Sequence, residues 1–239
     1  MKLSIIIPVY NEEKTIKQII LRVVAAKIPD VEKEIIVVDD GSTDNSIKEM
    51  ESLPADIKKQ IHLIYRKKNG GKGAALRSGF EKATGDYIII QDADLEYDPT
   101  NIARLVKPIL DGKATVVYGT RLDRLPNLTK EESHPLFLLH YVGNRFLSLM
   151  TSALYGYWVT DMETCYKLFP KKALEGMTIH ARGFEFEPEI TAKLLKRGYK
   201  IYEMPITTTP RGYEEGKKLN TVRDGSKAVK ALWKYRFTE

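Results

Sequence analysis

The sequence holds one cysteine, Cys165, in 239 residues. A single thiol excludes an internal disulfide framework and a cysteine-built zinc site, and it fits a reducing compartment. Long apolar runs are also missing. The longest uncharged stretch of the second half, Phe146 to Thr160, is too short to span a bilayer. The opening, Lys2 followed by an apolar run that stops at Pro8, does not read as a secretory signal. Glutamine is scarce, three in all beside many Lys and Glu, which leans toward a thermophile. Two widespread nucleotide motifs are lacking. A dinucleotide fold needs a glycine-rich turn after its first strand, and Pro8-Val9-Tyr10-Asn11-Glu12 there has no glycine. Asn69-Gly70-Gly71-Lys72-Gly73-Ala74 has neither the spacing nor the hydroxyl of a phosphate-binding P-loop. These gaps argue against a simple dehydrogenase or ATPase. No basic stripe is interleaved with aromatics, which argues against a nucleic-acid binder.

What is present is a chain with a core. Apolar residues make up 43%, enough to exclude a disordered or fibrous protein. Net charge is +6, unevenly placed: residues from Lys167 onward carry 16 basic and 9 acidic side chains. A basic C-terminal third suits an anionic substrate or lipid surface, or is a solvated lysine-rich face.

Leu3 to Val9 and Glu34 to Val38 are continuous β-branched runs, the pattern of strands buried on both faces of a parallel sheet. Ile61–Tyr65, Tyr87–Ile90 and Thr115–Tyr118 read as further strands, with helices between them, beginning with Glu12–Ala26. The alternation predicts an α/β domain around a mostly parallel sheet. Past Arg121 to Glu132, which reads as a loop, come an apolar, aromatic segment from His134 to Trp158, a strand over Tyr166–Phe169, a helix over Glu185–Lys196 and a strand over Lys200–Met204. A Gly-, Lys- and Glu-rich loop over Thr209–Asn220 and a helix over Thr221–Tyr235 close the chain. No linker is visible, so residues 1–239 read as one domain, with 1–120 forming the core part and 121–239 a helical elaboration.

Ligands of such sheets sit at the carboxyl ends of the strands, so Tyr10-Asn11-Glu12, Asp39-Asp40 and Gln91-Asp92-Ala93-Asp94 should share one crevice. Asp92 and Asp94 directly follow a buried strand, and a turn there would aim one or both carboxylates at a metal. Mg²⁺ takes one or two protein carboxylates and completes its shell with phosphate oxygens and water. Glu96 offers a third oxygen ligand. A helix cap before Pro99 is the plain alternative for these acids. Asn69 to Gly73 suits either the close approach of a diphosphate, with Lys72 adding charge at a helix N-terminus, or an ordinary glycine turn.

The ordered series Ile7-Pro8-Val9-Tyr10-Asn11-Glu12, Val37-Val38-Asp39-Asp40-Gly41-Ser42-Thr43-Asp44, Asn69-Gly70-Gly71-Lys72-Gly73-Ala74-Ala75 and Asp92-Ala93-Asp94 resembles the family 2 glycosyltransferases of GT-A fold. Within them it is similar to the polyprenol-phosphate sugar synthases, such as the dolichol-phosphate mannose synthases, over roughly residues 3 to 220. The resemblance implies that Pro8, Tyr10 and Glu12 line a nucleotide pocket and that Val38 and Asp40 meet base or ribose. It extends donor binding to Lys72, Gln91, Asp92 and Ala93. Asp92, Asp94 and Glu96 would hold Mg²⁺ or Mn²⁺. Arg121 would meet phosphate, together with Arg211, Lys217 and Lys218, whose pattern has two extra residues and no serine.

The implied reaction is a single inverting displacement of a hexose from GDP-mannose or UDP-glucose onto polyprenyl or dolichyl phosphate. Residues 134–158 would then be a pair of interfacial helices on the cytoplasmic face of a membrane. The same stretch would otherwise serve as core or as a homodimer interface, and a membrane-embedded protein is the other partner the resemblance implies. The other reading is a soluble family 2 enzyme acting on a saccharide or small molecule, with Glu163 of Asp161-Met162-Glu163-Thr164 as base. A nucleotide-sugar-binding module and a nucleotidyltransferase are further alternatives, the first opposed by the intact Asp92/Asp94 pair and the second by the missing glycine loop.

Overall fold

A computed structural model describes residues 1–122, 135–209 and 221–238. Seven strands form one sheet in the order β3-β2-β1-β4-β6-β5-β7. Strand β1 (Lys2–Val9) is an interior strand, parallel to its neighbours β2 (Glu32–Asp39) and β4 (Tyr87–Ile90), and β4 is the central one. Strand β3 (Ile61–Tyr65) adds on in parallel beside β2. Beyond β4, β6 (Lys167–Pro170) runs antiparallel to both β4 and β5 (Val116–Thr120), and β7 (Ile201–Pro205) is parallel to β5. The alternating pattern carries no mark of this one reversal, because β6 is short and buried at every position.

The apolar runs behave as parallel-sheet physics requires. Leu3, Ile5, Ile6 and Ile7 are fully buried, as are Ile36, Val37 and Val38 in the neighbouring strand. Helices cover the sheet. Helix α1 (Ile16–Ala25) buries Ile16, Ile19, Ile20 and Val23, a single helical stripe. It starts with the first apolar residue, four positions later than the expected Glu12, and the amides of Thr15 and Ile16 turn back onto the Glu12 carbonyl. Short helices α2 (Ser46–Glu51) and α3 (Ala55–Lys58) follow β2. Helices α4 (Lys72–Lys82) and α5 (Asn101–Leu110) precede β4 and β5.

The segment expected as two interfacial helices is one helix, α6 (Pro135–Tyr155). Its sequence has no glycine–proline break to end a first helix and start a second. Leu139, Val142, Phe146 and Leu149, spaced three and four apart, are each more than half exposed. Leu147 and Thr151 are buried against the domain. Helix α7 (Phe186–Lys196) is buried along nearly its whole length. Helix α8 (Thr221–Phe237) packs by Ala228, Ala231, Leu232 and Tyr235, and the Tyr155 hydroxyl of α6 donates to its Leu232 carbonyl at 2.7 Å. Among the described residues, no helix is long and apolar enough to cross a membrane.

Candidate active site

The parallel strands β1, β2 and β4 end on one edge, and the loops that leave them are laced together. Asn11, at φ 51°, donates its amide to the Ser42 hydroxyl at 3.0 Å and accepts the Thr43 amide at 2.8 Å. The Glu12 amide donates to the Ser46 hydroxyl at 2.8 Å, and Asp44 accepts the Ser46 amide and hydroxyl. The polar residues after β1 and β2 thus build each other's loops. Asp40 does the same for the glycine segment. Its carboxylate accepts Gly71 N–H at 2.7 Å, Gly70 N–H at 3.0 Å and the Arg66 guanidinium at 2.5 Å. Burial pushes its carboxyl up despite these donors.

The glycines themselves face protein. A Cβ on Gly71 or Gly73 would collide with the carbonyl oxygens of Arg182 and Ala181 respectively, and Gly71 also sits at φ 87°. The Ala74 amide donates to the Arg182 carbonyl, and Arg77 donates to the Ala181 carbonyl. The glycine segment therefore admits residues 181–183 of this chain at the start of α4.

Loop 91–98 carries the acids. Gln91 donates to the carbonyls of Asp92 and Tyr97 at 3.1 Å each and accepts the Tyr166 hydroxyl at 2.7 Å. It clamps both ends of the turn. Leu95 takes a left-handed conformation at φ 65°, and the Glu96 amide donates to Asp94 Oδ1 at 3.1 Å. The turn brings Asp92, Ala93, Asp94 and Glu96 to the wall of one cleft of about 1020 Å³. Pro8, Tyr10, Glu12, Asp40 and Lys72 line the same cleft. Two expected donor contacts do not reach it with their side chains. Val38 is fully buried inside the sheet, and Gln91 is fully buried as the clamp.

Among the described residues, no three His, Cys, Asp or Glu side chains converge as a ready metal cage. Two aspartates on a clamped turn, with an open cleft before them, still suit an ion that takes most of its ligands from phosphate and water. Asp92 is meanwhile engaged. Lys72 Nζ lies 2.8 Å from its Oδ1 and 3.0 Å from Glu187 Oε1, and Glu187 Oε2 meets Lys167 Nζ at 2.5 Å. Burial by itself would lower the Lys72 ammonium, but the Asp92 and Glu187 carboxylates together hold it well above the usual lysine range. Burial likewise opposes the charge on Asp92, and Lys72 outweighs it, so its carboxyl sits below the usual value.

Arg121 and the acidic 161–164 turn form another part of the wall. Asp161 is fully buried and grips Arg121, accepting its main-chain N–H at 2.9 Å and its Nε and Nη2 protons at 2.8 Å each. Glu203 in turn accepts the Thr160 and Asp161 amides. Glu163 contrasts with Asp161. It lines the cleft, its Oε1 has no hydrogen-bond partner among the described residues, and burial pushes its carboxyl up to about 7. Lys167, fully buried on β6, anchors this turn by donating to the Met162 and Thr164 carbonyls. Arg211, Lys217 and Lys218 lie outside the described residues.

Three cleft residues escaped the sequence reading, Arg182, and Arg223 and Lys227 of α8, while Glu187, which with Glu185 and Glu189 the resemblance implies to be mainly structural or to orient the basic loop, lines the cleft as well. Lys167, buried behind the wall, escaped it as well. An ion pair between residues on different elements leaves no spacing signal. The paired acids Glu187 and Glu189 on one helix turn were the available hint.

A family model described as glycosyl transferase family 2 matches residues 4–177. The chain belongs to this family. It is a glycosyltransferase of GT-A fold. Among relatives of family 2, the UDP-N-acetylglucosamine–dolichyl-phosphate N-acetylglucosaminyltransferase of Methanococcus voltae is 31% identical over 234 residues, covering 91% of this chain and 90% of that one. A low-salt glycan biosynthesis hexosyltransferase of Haloferax volcanii is 31% identical over 231 residues, covering 96% of this chain and 52% of the relative. Among solved structures, the glucosyl-3-phosphoglycerate synthase of Mycobacterium tuberculosis, in complex with Mn²⁺, UDP-glucose and glycerol 3-phosphate, superposes with a TM-score of 0.71. It is 19% identical, and the match covers 100% of this chain and 81% of the neighbour, a likeness of fold.

Proposed function

We propose that this glycosyltransferase moves a sugar, with inversion, from a nucleotide diphosphate donor to a polyprenyl or dolichyl phosphate. The observation that carries the reading is the meeting, in one cleft, of an acidic turn and a set of cations. Asp92, Asp94 and Glu96 share the wall with Arg121, Arg182, Arg223 and Lys227. A diphosphate held through a divalent ion calls for the first group, and an anionic acceptor calls for the second. The likeness to the dolichyl-phosphate N-acetylglucosaminyltransferase supports this acceptor class and adds UDP-N-acetylglucosamine to UDP-glucose and GDP-mannose as donors to test.

Asp92, Asp94 and Glu96 would hold Mg²⁺ or Mn²⁺, which supplies Lewis-acid stabilisation to the departing diphosphate. The chain's own residues supply the rest. Pro8, Tyr10, Glu12 and the loop built on Asp40 shape the nucleotide end. Arg121, fixed by Asp161 through Nε and Nη2, keeps its remaining protons for the acceptor phosphate. That phosphate is largely dianionic at neutral pH and needs no base. Glu163 in its protonated form donates a hydrogen bond to it and adds no repulsion. The exposed apolar stripe of α6 begins beside His140 and Asn144 at the cleft and, with the net charge of +6, supports peripheral attachment to the cytoplasmic face of a membrane.

One observation favours a second reading. The unpartnered, near-neutral Glu163 also suits a general base for a saccharide hydroxyl. A donor-by-acceptor assay separates the two: the three donors, Mn²⁺ or Mg²⁺, and either a short polyprenyl phosphate or saccharides. Metal-dependent sugar transfer to the lipid, reduced at least ~100-fold in Asp94→Asn, is the expected result. Diphosphate release only with saccharides would overturn the lipid acceptor.

A further inference from the structure

Lys72 stands between two carboxylates that come from different elements, the turn after β4 and the first turn of α7. Its ammonium is 2.8 Å from Asp92 and 3.0 Å from Glu187. The two acids are not equivalent. Glu187 has a second, fully buried ammonium, Lys167, at 2.5 Å on its other oxygen. Lys167 is fixed there by the Met162 and Thr164 carbonyls. Glu187 therefore does not depend on Lys72 for its charge balance, and its other oxygen, Oε1, is a second seat for the Lys72 ammonium. Lys72 is the ammonium paired with Asp92 among the described residues, and Asp92 is the first acid of the clamped turn.

A divalent ion held on Asp92 and Asp94 and the Lys72 ammonium make opposing claims on one carboxylate. We infer that Lys72 is an exchangeable counter-ion: it occupies Asp92 while the acidic turn carries no divalent ion, and it retires onto Glu187 when one binds. The inference rests on the assignment of the ion to Asp92 and Asp94 made above, and it deepens that assignment. Lys72 then sets how tightly the turn holds the ion before the donor arrives. Once off Asp92, its freed proton faces the cleft, where a donor diphosphate would lie. Ion and donor binding should accordingly strengthen each other, and by the same factor in both directions. The start of α4 is pinned by the packing of Gly71 and Gly73 on residues 181–183, so the exchange needs only rotation of the lysine side chain.

The test is a Mn²⁺ titration followed by electron paramagnetic resonance, with no donor or acceptor present. Removing the competing charge in Lys72→Met should tighten Mn²⁺ binding at least ~10-fold, whereas Lys72→Arg should stay within about 3-fold of the wild type. Added UDP should tighten Mn²⁺ more in the wild type than in Lys72→Met. A purely structural lysine gives the opposite sign, because its loss loosens the turn. Equal or weaker Mn²⁺ binding by a folded Lys72→Met overturns the inference. If that variant does not fold, the ¹⁵Nζ resonance of Lys72 in the wild type decides: saturation with Mg²⁺ should shift it, and an unmoved signal overturns the exchange. If neither protein binds Mn²⁺, the inference and the metal assignment fall together. Failure of lipid transfer in the donor-by-acceptor assay would leave the Mn²⁺ result standing.

Discussion

Two acids two residues apart, Asp161 and Glu163, show how far a single side chain's role depends on its neighbours. Asp161 accepts three hydrogen bonds from Arg121 and is lowered, with burial opposing the Arg121 charge that prevails. Glu163 keeps an unpartnered oxygen and rises to about 7, chiefly from burial. The sign of the pH response follows from what Glu163 does. As a proton-bearing donor to an acceptor phosphate, it must be protonated, so activity should fall as pH rises through about 7. The acceptor phosphate, ionising near ~6, sets the rising limb below it. As a general base it must be ionised, and activity would instead climb through about 7 to a plateau. Initial rates from pH 5 to 9 with polyprenyl phosphate should therefore give a bell, and Glu163→Gln should lose the upper limb with a rate loss of at most ~10-fold. The motif was legible in the sequence, but the division of labour was not. Arg121 lies 40 positions away, and nothing in the local string tells which acid it takes.

At the scale of the element, the strands were the most legible part, because burial on both faces imposes unbroken runs such as Leu3–Val9. The glycine segment was read only halfway. Its glycines announce a close approach, yet the approaching backbone is residues 181–183, more than a hundred positions on. Gly73→Ala should consequently destabilise the protein by about 1–3 kcal/mol, since its methyl meets the immobile Ala181 carbonyl. Gly143→Ala on α6 is the matched control. Its Cβ would meet nothing within 4 Å, and helix propensity should add about 0.5–1 kcal/mol of stability. Urea denaturation of the two variants compares them directly, and equal shifts would refute the packing argument. The reversed strand β6 and the single α6 were illegible for a related reason. Strand direction and helix continuity are settled by what each segment packs against.

For the whole molecule, charge and shape act together. The surplus of +6 is carried by the C-terminal third, and α8 exposes Lys227, Lys230, Trp233, Lys234 and Phe237. Helix α6, which packs on α8, exposes Leu139, Val142, Phe146 and Leu149 in one stripe. Among the described residues neither helix is long and apolar enough to cross a bilayer, and on the proposed peripheral attachment each alone would hold weakly. A few half-inserted side chains contribute about 1 kcal/mol each, and each basic residue near an anionic surface adds about 1 kcal/mol. On the proposed peripheral attachment, their sum would give reversible binding that both salt and loss of apolar area should weaken. Sedimentation with vesicles containing one-third phosphatidylserine should show this. Phe146→Ser with Leu149→Ser should reduce the bound fraction at least ~10-fold, the loss expected from about 2 kcal/mol of apolar contact. Raising NaCl from 0.05 to 0.5 M, hypothetical conditions chosen to shorten the Debye length from about 14 to about 4 Å, should weaken the wild type as well. A double variant that sediments like the wild type would place the stripe elsewhere, against protein, and the lipid-phosphate acceptor would then have to reach the cleft without help from α6.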